Sequence, residues 1–299
     1  MNDDTAIIPR NIQFGFDTDL PLNWHSDDPA TSRFYDALSL LFPSGERMFI
    51  DSVRLFADRI TDPKLQADIK AFTAQEAVHS REHARYNALI TAQGIDVDGF
   101  ERLAERVIKT AKRWTPAKTQ LAVTCAFEHY TALFAESILG DPRVMDGAHP
   151  FYRDLWRWHA MEEEEHKAVA FDVYRTVAPG FTGYLRRVLA MSLATFDFIV
   201  TVPLIQLWLM AKAGEATNFR SWARAYKHMW LTPGVWRHVI FGIFDYMRPT
   251  FHPQDRAVKP EVLARALHRH TKARCDVRPV IVQQRLTGPP FRRTSAPRE

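Results

Sequence analysis

Apolar residues recur at three- and four-residue spacing along most of the chain, and no segment alternates convincingly between apolar and polar positions. That period belongs to helices rather than strands. A short helix is predicted near Arg33 to Phe42, and "PSGE" opens a second one reaching about Ile60. Pro63 and Gly94 bracket a long helix with suitable start and stop signals. A short helix follows near Asp98 to Arg113. In "WTPAK", Thr115 reads as the N-cap and Pro116 as the first position of a helix reaching Gly140. "HPFYRDLW" opens another that runs to about Val177 and stops at "APG". The fold class is all-α.

From Val188 to Ala211 the chain is almost wholly apolar, flanked by Arg186, Arg187 and Lys212. A membrane-spanning helix needs about 20 such residues. Asp197 and Pro203 interrupt this one, so it reads as a buried or membrane-facing helix lining an apolar cavity. Further helices are predicted near Phe219 to Leu231, Val235 to Met247 and Pro260 to Ala273. The organisation is an irregular segment over 1–32, a helical bundle over 33–178, additional apolar and aromatic-rich helices over 180–275, and a basic tail over 276–299.

One stretch breaks the ordinary rule that charges face water. "WRWHAMEEEEHKAVAFD", from Trp156 to Asp172, sets four consecutive glutamates in a helix with a strong apolar stripe. At about 100° per residue, Glu162, Glu163, His159 and His166 share a sector with Leu155, Val169, Ala170 and Val173. Glu164 falls on the opposite face, with Glu165 and Lys167 at its flanks, and is expected in solvent. Buried charges must be paired or bound to a metal.

The helix after Pro63 repeats the oddity. Its stretch "FTAQEAVHSREHARYNALI" puts Glu76, His79 and His83 on one face with Phe72, Tyr86 and Ile90. Glu76 to His79 and Glu163 to His166 are both Glu-x-x-His. Lone carboxylates sit on the apolar stripes of the two preceding helices, Glu46 beside Phe49 and Glu128 beside Cys125. In a four-helix bundle, the order Glu, Glu-x-x-His, Glu, Glu-x-x-His supplies two divalent ions with bridging carboxylates and one imidazole each. The metal candidates are therefore Glu46, Glu76, His79, Glu128, Glu163 and His166. His83 and His159 stand as extra ligands or as groups that orient ligands, and Glu162 as a carboxylate behind a ligand. Asp197 is a candidate polar group in the apolar helix, and Cys125 a candidate pocket residue.

A competing pattern lies in the same helix. His79, Glu82 and His83 match His-x-x-Glu-His, in which two histidines hold zinc and the glutamate acts as general base. That reading makes the protein a zinc- or dimetal-dependent hydrolase, and leaves Glu46, Glu76 and the second Glu-x-x-His without a role.

Composition adds boundaries. With 299 residues, 46% of them hydrophobic, the chain can bury a core without disulfides. Cys125 and Cys275 lie far apart without CxxC spacing, which removes a cysteine zinc site and a disulfide framework from consideration. The acidic start "MNDDTAIIPR" has no signal-peptide pattern, so a cytoplasmic setting is expected. The net charge of +4 divides into +8 from Arg256 to Glu299 and −4 before it. A basic tail on an acidic body, and four of eight tryptophans between Trp208 and Trp236, point to peripheral contact with the inner face of a membrane. Nucleic acid is not an expected partner.

Over Glu46 to Val177 the sequence resembles the ferritin-like di-iron carboxylate proteins. It is more closely similar to a bacterial family catalogued as predicted metal-dependent hydrolases, through "HxxEExEH" followed by "FD" (His159 to His166, then Phe171 and Asp172) and "ExxHxxxH" (Glu76 to His83). The ferritin-like resemblance implies two irons, with manganese or zinc as alternatives. It also implies Glu76 and Glu163 as bridges, Glu46 and Glu128 as terminal ligands, and O2 and an electron donor as partners. Some N-oxygenating proteins of that fold carry additional histidine ligands, a place open to His83 and His159. The leading expectation is an O2-dependent di-iron oxidase or oxygenase acting on an apolar small molecule. The alternatives are the hydrolase and a non-catalytic iron- or lipid-binding bundle.

Overall fold

The computed structural model describes residues 7–256 and 258. Nine α-helices and no β-strand occur among them: α1 (Pro29–Arg54), α2 (Pro63–Ala92), α3 (Asp98–Trp114), α4 (Ala117–Gly140), α5 (Pro150–His166), α6 (Val169–Val177), α7 (Gly180–Lys212), α8 (Phe219–Tyr226) and α9 (Val235–Tyr246). The all-α expectation is met. The helix expected near Pro260 to Ala273, the tail over 276–299 and Cys275 lie outside the described residues.

Two predicted helices turn out to be one. Asp28 caps α1 by accepting from the Thr31 N–H, Pro29 occupies its first turn, and the helix then runs through Pro43. Proline removes one backbone donor and strands the carbonyl four residues earlier. Here that is the Ser39 carbonyl, and Asn87 Nδ2 on α2 donates to it at 3.2 Å. A partner supplied by another helix thus rescues a break that "PSGE" would otherwise make. The reverse happens where one helix to Val177 was expected. The chain turns at Lys167 and Ala168 and separates α5 from α6, while Lys167 Nζ bonds Glu164 and the Arg256 carbonyl. A smaller shift places Pro116, not Thr115, at the cap of α4.

The helices α1 and α2 pack along each other, as do α4 and α5, and the two pairs close through α1–α4, α2–α5, α2–α6 and α4–α6. Trp156, Trp158, Tyr86, Tyr130 and Tyr152 are fully buried between them. The non-helical segment before α1 belongs to this core, with Ile12, Phe14 and Trp24 buried in it. One face of α7 packs on α1 and α4, and α9 lies on α4. The closeness of that last contact depends on Gly242: a Cβ there would stand 2.1 Å from Leu133 Cδ2. Among the described α-helices, only α3 leans on the bundle without a single buried residue of its own.

Candidate metal centre

The six predicted ligands and one of the extra histidines converge inside the bundle. Glu46 of α1, His79 of α2 and His159 of α5 form one buried cluster, and Glu76 of α2 with Glu128 of α4 and Glu163 and His166 of α5 forms another. Within each cluster the potential ligand atoms lie within 4.8 Å of one another. Glu163 faces both. Its Oε1 is 3.2 Å from His159 Nε2 and 3.5 Å from His79 Nδ1, and its Oε2 is 3.5 Å from His166 Nε2. Glu76 Oε1 also spans the gap, 2.9 Å from His166 Nε2 and 4.0 Å from His79 Nδ1.

Electrostatics say what this arrangement lacks. Both oxygens of Glu46, Glu76 and Glu128 are buried without a hydrogen-bond partner, as are Glu163 Oε2, His79 Nδ1, His159 Nε2 and His166 Nε2. A carboxylate taken out of water without compensation costs several kcal/mol. The charges respond to their neighbours. Burial, reinforced by the charge of Glu76, holds Glu46 and Glu128 well above the usual carboxylate range. Glu76 is raised by burial as well. Burial pushes the same way at Glu163, but His166 and His159 override it and hold that carboxyl well below the usual range. Burial would lower His79; Glu162 and Glu163 more than offset it and raise the ring to about 10. In the ligating state, with the carboxyls ionised and the rings neutral, these residues would offer four negative charges to two divalent cations, and the oxygen and nitrogen donors such ions take. The residues fit a dinuclear metal centre.

Each ring is aimed from behind, because the hydrogen bond at one imidazole nitrogen decides which nitrogen is left to bind. His79 Nε2 bonds Glu162 Oε2 at 3.0 Å, and Glu162 Oε1 accepts from Arg10 Nη1, so Nδ1 is presented to the cluster. His166 Nδ1 donates to Gln75 Oε1 at 2.9 Å, and Gln75 Nε2 donates to Glu165 Oε2, which presents Nε2. Behind His159 the relay is longer. Asn87 Nδ2 is committed to the Ser39 carbonyl, so Asn87 Oδ1 accepts the Ser39 hydroxyl proton. Ser39 Oγ must then accept from His83 Nδ1, His83 Nε2 must accept from His159 Nδ1, and His159 Nε2 is left bare. Neutral rings suit this chain: burial, with His159 as neighbour, lowers His83 well below its ordinary value, and burial next to His79 lowers His159 to about 4.

This answers what four glutamates do in a core helix. All four are buried, including Glu164 and Glu165, each 8% exposed, which corrects the expectation of a solvated flank. Glu163 faces the clusters, Glu162 bonds His79 directly, and Glu165 holds Gln75, the partner of His166. Glu164 pairs with Lys167 at 2.8 Å. The helical wheel could not foresee it because the cover is nonlocal: Arg10 and the Ile8 N–H reach Glu165, and Val258 N lies 3.4 Å from Glu164.

Two other expectations are corrected. Glu82 does not approach the clusters; its oxygens accept from Phe14 N, Arg81 and Arg85, and His83 is engaged by Ser39 and His159. The His79, Glu82 and His83 zinc site is therefore not assembled. Cys125 is buried but does not line the cavity described next. Arg10, Gln75, Ser39 and Asn87 were not predicted at all. Asn87 carries a signal, four residues beyond His83 on the same helix face; Arg10, in a segment without period, carries none.

A cavity of about 550 Å³ lies between α1, α3, α4 and α7 and reaches the first cluster at Glu46 and His159. Its walls are mostly aliphatic and aromatic. Polar exceptions include Asp197, whose Oδ1 accepts from Thr201 at 3.0 Å, also on the lining. No curated protein and no solved structure matches the chain. Residues 8–257 do match the family model described as predicted metal-dependent hydrolase, and with the buried glutamate and histidine clusters in view the chain belongs to that family.

Proposed function

We propose that the protein is a dinuclear-metal-dependent hydrolase acting on an apolar small molecule. One observation carries this reading: two buried ligand clusters share Glu163, and one of them opens on an apolar cavity. The family description supports hydrolysis as the class of reaction. Glu46, His79 and His159 would hold one ion and Glu76, Glu128, Glu163 and His166 the other, with Glu163 common to both. Ions held there would supply Lewis acidity and acidify water at their open positions.

The chain's own residues do the rest. The apolar walls desolvate a substrate and bring its reactive group to Glu46 and His159, the polar end of an otherwise greasy cavity. Asp197 and Thr201 offer a polar contact to another part of the substrate. Arg10, Glu162, Gln75, Glu165 and His83 keep the three rings in fixed tautomers, so the donor atoms need not reorganise during turnover.

A second reading has its own observation. The order Glu, Glu-x-x-His, Glu, Glu-x-x-His over α1, α2, α4 and α5 is the donor pattern of di-iron carboxylate bundles. It supports O2-dependent oxidation with an external electron donor. One experiment separates the two. Metal content per chain would be measured, followed by hydrolysis of nitrophenyl esters of increasing acyl length and by optical spectra after anaerobic reduction and O2 exposure. Two ions with ester turnover that rises with acyl length support hydrolysis. Two irons with new absorption on O2 and no ester turnover replace it with oxidation. A chain without bound metal removes both.

A further inference from the structure

The outward face of α7 is as apolar as a core. Phe181, Leu185, Leu189, Phe196, Val200 and Leu204 form a stripe at four- and seven-residue spacing, and all are exposed; Phe181 and Phe196 are each 71% exposed. Among the described residues α7 alone is long and apolar enough to cross a bilayer. It does not stand free to do so, since its other face packs on α1 and α4 and is tied to them; Gln206 Nε2 donates to the Ala30 carbonyl and Tyr130 Oη to Thr195. On neighbouring α9, Phe241 and Phe244 are 70% and 67% exposed. Exposed apolar area of this extent marks an interaction site.

Two further observations decide the occupant. The first is charge. Residues 180–248 carry eight Lys/Arg against three Asp/Glu, whereas residues 7–179 carry 20 against 26. Exposed Lys212, Lys227 and Arg237 accompany the apolar helices, and the chain beyond Asp255 adds a net +8. A basic, apolar surface complements anionic lipid. In a pair of copies meeting face to face, the same cations would be opposed to themselves. The second is the cavity mouth. Leu103 and Val107 of α3 and Leu193 of α7 line the cavity and are also more than half exposed, so the cavity opens on this face. A second copy seated there would close it.

We propose that the outer face of α7, with Phe241 and Phe244 of α9 and Leu103 and Val107 of α3, docks on the surface of an anionic lipid bilayer, so that the cavity mouth faces the lipid. The helix lies along the surface, and an apolar substrate passes from the acyl phase to Glu46 and His159 without crossing water. Only this last step rests on the function proposed above; the docking does not.

The test is flotation of the full chain with vesicles of phosphatidylcholine alone or mixed equally with phosphatidylglycerol. The wild type is expected to float with the mixed vesicles and to be released by high salt. A triple variant, Leu189→Gln, Phe196→Gln and Phe244→Gln, is expected to lose about tenfold or more of that partition, because three large apolar side chains leave the lipid. Its Tm and metal content are expected to match wild type. No flotation by wild type, or equal flotation by the variant, overturns the proposal. So does a wild-type dimer that the variant splits, which would assign the face to a second copy. Vesicle binding by a chain that holds no metal sinks the dinuclear reading and leaves the docking face standing; two bound ions without vesicle binding do the opposite.

Discussion

The inside of the bundle and the outside of α7 invert the usual distribution of polarity. Between α1, α2, α4 and α5 the chain buries charged groups, and those behind the clusters are partnered in sequence, as in Arg10 to Glu162 to His79. Along α7 it leaves large apolar side chains exposed. Each region is costly alone, the first through desolvation and the second through ordered water at apolar area. On the readings proposed above, the two regions call for opposite partners: cations inside, an apolar phase outside.

The sharpest way to break this comparison is at Glu163. Glu163→Ala removes the carboxylate whose two oxygens face different clusters and is expected to abolish binding of both ions in an elemental assay. Glu164→Ala, one residue on, is expected to keep the metal and to lower stability by about 3–5 kcal/mol in denaturant unfolding, because Lys167 loses its buried partner. Equal metal loss in both would sink the assignment of faces. The next effect is smaller and tests the relay. His83→Ala leaves every ligand in place and is expected to weaken metal affinity by about 10- to 100-fold, read by competition with a chelator. Unchanged affinity would make His83 an ordinary packed ring.

Two weaker effects sharpen the contrast elsewhere. Burial lowers His228 to about 3, His25 also lies below its ordinary value through burial, and the two rings meet beside Tyr35. A depressed histidine pKa means the unfolded chain binds more protons. Stability carried by this pair is therefore complete above about pH 6.5 and falls as pH drops toward the folded value. Thermal unfolding across that window should show less acid sensitivity in His228→Gln than in wild type. The smallest effect belongs to the exposed face: Phe196→Gln should change stability by no more than about 0.5 kcal/mol, despite replacing a phenylalanine. A larger loss would mean that the side chain is covered by protein.

How much of this could be read from the sequence depended on whether a signal was local. Glu46, Glu76, His79, Glu128, Glu163 and His166 each break an apolar stripe on their own helix, so periodicity finds them. Glu164 and Glu165 are covered by residues near both ends of the described chain, and no wheel contains that. Continuity through Pro43 depends on Asn87, 44 positions along the chain from it. The turn at Lys167 has no proline or glycine to announce it, and α5 and α6 therefore read as one helix. Glu82 was plausible by spacing until three N–H donor groups from Phe14, Arg81 and Arg85 claimed it.

Of the two clusters, the one with Glu46 and His159 reaches the cavity, and that difference in access would make the two ion positions kinetically distinct. The cluster of Glu76, Glu128 and His166 would empty last, while its neighbour, reached through Glu46 and His159, would exchange with whatever enters the cavity. A slow chelator should then trap a half-loaded species, and a second metal offered to it would yield a mixed pair with each element at a known address.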